Sequence, residues 1–185
     1  MKIVAISGSL RAASSNTALV RALIATAPAG MDAVLYDGLA SLPHFSPELD
    51  GGNPPDAVKD LRAEFASADG VLICTPEYAF GIPGSLKNAL DWLVSSGELW
   101  QKPVAVLSAS PSALGGEKAH AALSLTLSAL EAEVVEAASL QIPFVPTKLN
   151  AAKEVSDPAT LAALEASLAA LIAAVEEQAR QGARE

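Results

Sequence analysis

Cysteine is almost missing from this 185-residue chain: Cys74 stands alone, so no intramolecular disulfide framework is available. A single thiol also fits a reducing compartment. Histidine is nearly as scarce. His44 and His120 have no second histidine or cysteine at metal-ligand spacing, which excludes a recognisable metal site. Basic residues are in deficit, 12 Lys+Arg against 21 Asp+Glu, and a net charge of −9 argues against a nucleic-acid partner. No uninterrupted apolar run reaches bilayer length, because Glu165 and Glu176 break the Ala/Leu-rich tail. The opening MKIVAISGS is too short an apolar run for a secretory core. A cytoplasmic protein with no membrane partner is expected.

What is present is an ordinary globular composition, with 51 % hydrophobic and 18 % charged residues, on a length that predicts one domain over residues 1–185. Short β-rich runs alternate with helical periodicities. KIVAIS predicts a first strand, followed by a helix over Asn16–Ala27. Ala33–Asp37 predicts a second strand, which leads into a Pro/Gly/Asp-rich loop ending near Pro55. Asp56–Ala68 is helical, with Val58, Leu61 and Phe65 on one face, and Gly70–Thr75 is a continuous apolar strand of the kind buried on both faces. Pro83 opens a third helix with Leu86, Leu90 and Leu93 as its inward stripe. Pro103–Ser110 is a fourth strand, Gly115–Leu130 a fourth helix and Val134–Glu136 a short fifth strand. Asp157 and Pro158 then open a closing helix as N-cap and first helical residue. Five β units joined by crossover helices predict an α/β fold: a doubly wound, five-stranded parallel sheet in the order 2-1-3-4-5, helices on both faces. Its ligand crevice is expected at the carboxyl ends of strands 1 and 3.

GSLRAASSNT, which begins at Gly8, occupies that crevice. A Walker loop would need Gly-Lys-Ser/Thr, which is absent, and Leu10 and Ala13 stand where a dinucleotide fingerprint needs glycine. Ser7, Ser9, Arg11, Ser14, Ser15, Asn16 and Thr17 remain: short donors at a helix start, suited to a terminal monophosphate with Arg11 as a clamp. The plainer alternative is that Ser15 or Asn16 caps the helix and Gly8 makes the turn. Cys74, inside a strand, reads as a buried small hydrophobe, and His120 as a surface or satisfied helix residue. Asp37 reads as a turn residue. Glu77 has three readings: pairing with Lys87 or Arg11, a subunit contact, or, less favoured, a catalytic acid. Trp92 and Trp100 read as core or subunit-contact residues.

Three stretches, GSLRAASSNT, PEYAFGIPGSLKNALDWL (Pro76–Leu93) and SASPSALGG (Ser108–Gly116), fall in order at the carboxyl ends of strands 1, 3 and 4. With them the chain resembles the NADPH-dependent FMN reductase family, the flavodoxin-like group that includes bacterial quinone, chromate and azo-dye reductases. The resemblance implies an FMN cofactor, NADPH or NADH as co-substrate, and a homodimer or homotetramer. It implies Ser9, Arg11, Ser15, Asn16 and Thr17 around the FMN phosphate and Pro76, Glu77, Tyr78, Ala79 and Phe80 along the isoalloxazine. Ser108, Ser110, Gly115 and Gly116 would lie beside the ribityl chain and pyrimidine edge. Ala79 stands where many relatives carry Asn, so one side-chain amide is lost. The implied activity is ping-pong hydride transfer through flavin N5 to a small-molecule acceptor (a quinone, chromate, an azo compound or free flavin), with no obligatory catalytic side chain. The residues agree independently: a flat, largely apolar ring needs apolar walls and convergent N–H donors, which Tyr78, Phe80, Ile82 and a Gly/Pro-shaped loop supply. Alternatives are a flavodoxin-like electron carrier without nicotinamide activity and a ligand-sensing relative that never fills its site.

Overall fold

The three central strands, β1 (Lys2–Ser7), β3 (Gly70–Thr75) and β4 (Pro103–Ala109), are buried along nearly their whole length. Such strands must be covered on both faces, and alternation along them decides which helix covers which side. In the computed structural model, which describes residues 1–182, Val4, Ile6, Val71, Ile73, Val104 and Val106 point to one side. There α2 (Asp56–Ser67), α3 (Gly84–Asp91) and α4 (Glu117–Ala129) bring Leu61, Phe65, Leu86, Leu90, Leu123 and Leu127 against them. The intervening Ile3, Ala5, Leu72, Cys74, Ala105 and Leu107 meet α1 (Ser15–Ala25) and α5 (Pro158–Gly182) on the other side. By length and composition α5 could cross a membrane, yet its stripe of Leu164, Leu168, Leu171 and Val175 is buried on this sheet.

All strand pairs are parallel, in the expected order β2 (Asp32–Tyr36), β1, β3, β4, β5 (Glu133–Val134). The fifth position departs from expectation. In place of one strand over Val134–Glu136, it is shared by β5 and a second piece, β6 (Leu140–Ile142), which pairs with Leu107–Ala109 of β4. A helical turn, Glu136–Ala138, separates them. The ladder is bridged across the gap by a side chain, since Val106 N donates to Ser139 Oγ at 3.1 Å. The turn also buries Ala138, whose carbonyl accepts from Ser167 Oγ on α5. Interrupted pairing therefore anchors the closing helix, and it sends β6 to the carboxyl end of the sheet.

Helix starts differ from the expected bounds in an informative way. The N-cap of α1 is Ser14, whose Oγ accepts from Thr17 N at 3.2 Å, and neither Ser15 nor Asn16 caps. Asp157 caps α5 as expected, accepting from Thr160 N at 2.9 Å. The loop after β2 is pinned to α3: Asn88 Nδ2 and Trp92 Nε1 both donate to Pro43 O at 2.9 Å, and Phe45 N donates to Asn88 Oδ1. Trp92 is thus a core residue, whereas Trp100 is exposed, its indole N–H on Glu131.

Candidate functional site

Loops after β1, β3 and β4 leave the sheet at its carboxyl edge, around the point where strand order reverses between β1 and β3. They enclose a cleft of about 450 Å³. At one end lies the start of α1. The first N–H groups of a helix have no partner within it, so Ser15 and Asn16 present theirs to the cleft beside the half-charge of the helix dipole. Arg11 lines the same end, and its guanidinium has no acceptor among the described residues. Gly8 lets this loop run close to α3: its N–H donates to Cys74 O at 2.8 Å, and a Cβ there would lie 2.9 Å from Leu86 Cδ2.

The second loop supplies the wall. Pro76, Glu77 and Tyr78 line the cleft, and the chain then reverses in a tight hairpin closed by Tyr78 N to Gly81 O at 2.9 Å and Gly81 N to Tyr78 O at 3.0 Å. Both central residues are left-handed, Ala79 at φ 49° and Phe80 at φ 61°. Such a turn favours Asn-Gly, so Ala-Phe holds it under strain, at a cost of about 1 kcal/mol or more per residue. Phe80 projects at the tip, 80 % exposed.

Glu77 joins the second loop to the third. Its Oε2 accepts from Lys118 N at 2.9 Å and Ala119 N at 3.1 Å, so a carboxylate from 41 residues away caps α4. The helix needs it, because its own N-cap residue is Gly116, left-handed at φ 84° and without a side chain. The expected pairing with Lys87 or Arg11 is replaced by this contact, and Lys87 is engaged with Asp91 instead. Gly115 is left-handed too, and a Cβ on it would stand 2.9 Å from Ile142 N. Ser108 is fully buried beneath, its hydroxyl donated to Gly115 O at 2.8 Å.

Nine of the residues read from the sequence therefore converge on the cleft: Ser9, Arg11, Ser14, Ser15, Asn16, Pro76, Glu77, Tyr78 and Ser110. Thr17 is not among them: it lines the neighbouring cavity, and its hydroxyl donates to Ser7 Oγ at 2.9 Å. Ser108, Gly115 and Gly116 form the platform under the third loop, and Ala79 and Phe80 stand outside on the hairpin tip. Pro146, Leu149 and Lys153, absent from the sequence reading, form the remaining wall with Val145. β6 carries them there, and Val145 N to Ser110 O at 3.1 Å fixes the approach. Only the proline after the last strand, in PFVPT, signalled a loop at that edge.

The groups set aside in the sequence stay outside the cleft. Cys74 is fully buried, burial pushes its thiol pKa well up, and its Sγ lies 3.2 Å from Asn16 Oδ1. His120 lies on α4 with an unpartnered buried Nδ1. Burial lowers its pKa, against a smaller opposing pull from Glu136. No group of His, Cys, Asp and Glu among the described residues could hold a metal. What the cleft offers is helix N–H donors and a guanidinium at one end, apolar and aromatic walls at the other, and no acid–base pair.

A family model described as NADPH-dependent FMN reductase matches residues 1–147. The chain belongs to this family. Among its relatives, the quinone reductase of Escherichia coli is 33 % identical over 174 residues, covering 92 % of this chain and 93 % of that one. The NAD(P)H-dependent FMN reductase of Pseudomonas aeruginosa is 31 % identical, with the same coverage of each. A solved structure, the flavoenzyme NAD(P)H:(acceptor) oxidoreductase FerB of Paracoccus denitrificans, superposes with a TM-score of 0.84 at 28 % identity, covering 95 % of this chain and 97 % of FerB. An NADH:FMN oxidoreductase superposes at 0.68 and 22 % identity, a likeness of fold alone. The cleft suits the cofactor in this FMN reductase family's name. Unpaired N–H groups and a free guanidinium match a phosphate, and Pro76, Tyr78 and Leu149 match the faces of a planar ring.

Proposed function

We propose that this chain is an FMN-dependent NAD(P)H oxidoreductase that passes electrons to quinones and related electrophilic acceptors. The observation that carries the reading is the two-ended cleft: open helix N–H groups and Arg11 at one end, Pro76 and Tyr78 at the other. FMN held there would supply the hydride-transfer chemistry between nicotinamide and acceptor. The chain's own residues orient and enclose. Ser9, Ser15 and Asn16 fix the phosphate end through backbone and hydroxyl donors, and Arg11 adds a charge-assisted bond. Tyr78 and the strained hairpin leave one wall open to a second planar molecule, with Tyr78 48 % exposed. Glu77 and Gly115–Gly116 hold the loops in register, so the walls are set before any ligand arrives.

The same reading takes the 185 residues as a single cytoplasmic domain that works as a homodimer or a tetramer built from it. Phe80, Leu114 and Phe144, all exposed on segments that also contribute residues to the cleft, give a second copy apolar surface to cover. The deciding experiment is anaerobic: purified protein is reconstituted with FMN, its visible flavin absorbance is followed, and NADPH or NADH is added. Bleaching by the nicotinamide, reoxidation by a benzoquinone and parallel initial-rate lines are expected. A protein that stays yellow is an electron carrier, and intersecting lines refute a shared pocket.

A further inference from the structure

In a chain with net charge −9, free cations are informative. Eight of the eleven described lysines and arginines are engaged, in an ion pair or, for Lys102, on the carbonyl of Phe65. Three have no partner among the described residues: Arg11, Arg21 and Lys153. Lys153 links the other two. Arg11 and Lys153 line the cleft, and Lys153 with Arg21 lines a second cavity of about 730 Å³ between α1 and the Asn150–Val155 hairpin. The two cavities share Ala13, Ser14 and Lys153, so the second continues the first beyond its anion end.

The second cavity is built to suit one class of molecule. Along α1, Ala18, Ala22 and Ala25 make a flat apolar floor, faced by Val155 and Leu161. Lys153 is held at the rim in a left-handed conformation, φ 63°, that a lysine rarely adopts. The hairpin fixes it there through Lys153 N to Asn150 O at 3.0 Å and Glu154 N to Asn150 Oδ1 at 3.0 Å. Glu154, the carboxylate among the lining residues, is drawn to Asn150 Nδ2 at 3.1 Å. An apolar floor flanked by two cations without ion-pair partners, against one carboxylate turned to a neutral amide, leaves a net positive rim that fits a purine with phosphates on its ribose.

We propose that this groove takes the phosphoadenosine half of a dinucleotide whose other half occupies the cleft, with Arg21 and Lys153 on its phosphates. The inference rests on the proposed function for the identity of the cleft ligand. Two dinucleotides carry the required chemistry: FAD standing in for FMN, and NADPH reaching over the flavin site.

The test uses the FMN-loaded protein and a probe that is neither cofactor nor substrate. Adenosine 2′,5′-bisphosphate is titrated by calorimetry into the parent and into Arg21→Gln, Lys153→Gln and the double variant; both side chains are unpaired, so folding is preserved. Saturable binding is expected, weakened at least threefold by each change and tenfold by both. No binding, or equal binding by the double variant, overturns the proposal. Two further arms name the source. If FAD is the occupant, the apoprotein binds FAD more tightly than FMN and Arg21→Gln weakens FAD alone. If NADPH is, Arg21→Gln raises KM for NADPH and leaves that for NADH unchanged. Should NADPH fail to reduce bound flavin, the proposed activity falls, while the calorimetric result still judges the groove.

Discussion

Replacing Glu77 with alanine tests the reading of the second and third loops at its joint. The substitution removes the acceptor of two backbone N–H groups, 2.9 and 3.1 Å away, at a helix start where Gly116 has nothing to offer in exchange. Losing a side-chain cap costs about 0.5–2 kcal/mol, and losing a charge beside the positive helix end about 0.3–1 kcal/mol more. Water reaches part of this site, which places the sum near ~1.5 kcal/mol. For a chain of this length each kcal/mol moves Tm by about 2–4 °C, so a fall of about 3–6 °C is expected. Glu77→Gln keeps a neutral carbonyl acceptor and should recover roughly half of that, because charge-assisted bonds are about twice as strong as neutral ones. Thermal melts by circular dichroism give the stabilities, and NADPH-driven bleaching of bound FMN gives the chemistry. Coincident melts for parent and alanine variant would refute the cap. A glutamine variant with parental Tm that no longer bleaches would instead make Glu77 an acid in the reaction.

Arg11→Gln should weaken FMN binding to apoprotein about tenfold or more by flavin fluorescence quenching, the worth of one charge-assisted phosphate bond, with Tm unchanged. An unaltered Kd would move the phosphate elsewhere. Ala79→Asn puts a residue that tolerates the left-handed region at φ 49° and should raise Tm by about 2–4 °C in a calorimetric scan; a lower Tm would show the hairpin unstrained. Asp157 has a pKa held below the ordinary carboxylate value by the hydroxyl and N–H of Thr160, with Lys148 adding a smaller effect. Its contribution is therefore whole above the unfolded pKa of about 4 and lost as pH falls through the depressed folded value. Asp157→Asn should melt below the parent at pH 7 and converge with it in strong acid; a constant gap across pH would contradict the assignment. Cys74→Ala should leave flavin reduction intact, and native protein should resist alkylation of this buried thiol.

Strand order and the three site loops were legible because each rests on local pattern: continuous apolar runs for β3 and β4, surplus donors after β1, Gly-Pro punctuation after β3. Errors arose where a nonlocal contact decides. Nothing near Glu77 announces that its partners are backbone groups at 118 and 119, since a backbone donor leaves no residue signature. Ser14 outcompetes Ser15 as cap through loop geometry that the run of three polar residues conceals. The fifth strand was misread because Ser139 mends a ladder that sequence periodicity shows as broken. That break is also what delivers Pro146, Leu149 and Lys153 to the cleft, so one missed turn accounts for both the strand error and the missing wall.

Two helices begin at this crevice, and the protein treats them oppositely. The positive pole of α4 is neutralised internally by the Glu77 carboxylate, while that of α1 carries only the uncharged Ser14 cap and has Arg11 beside it. Electrically the crevice is thus asymmetric, attractive to anions at one extremity and indifferent at the other. A guest bearing a charged tail and an uncharged head has only one orientation available, so the direction of insertion is decided by field before shape is tried.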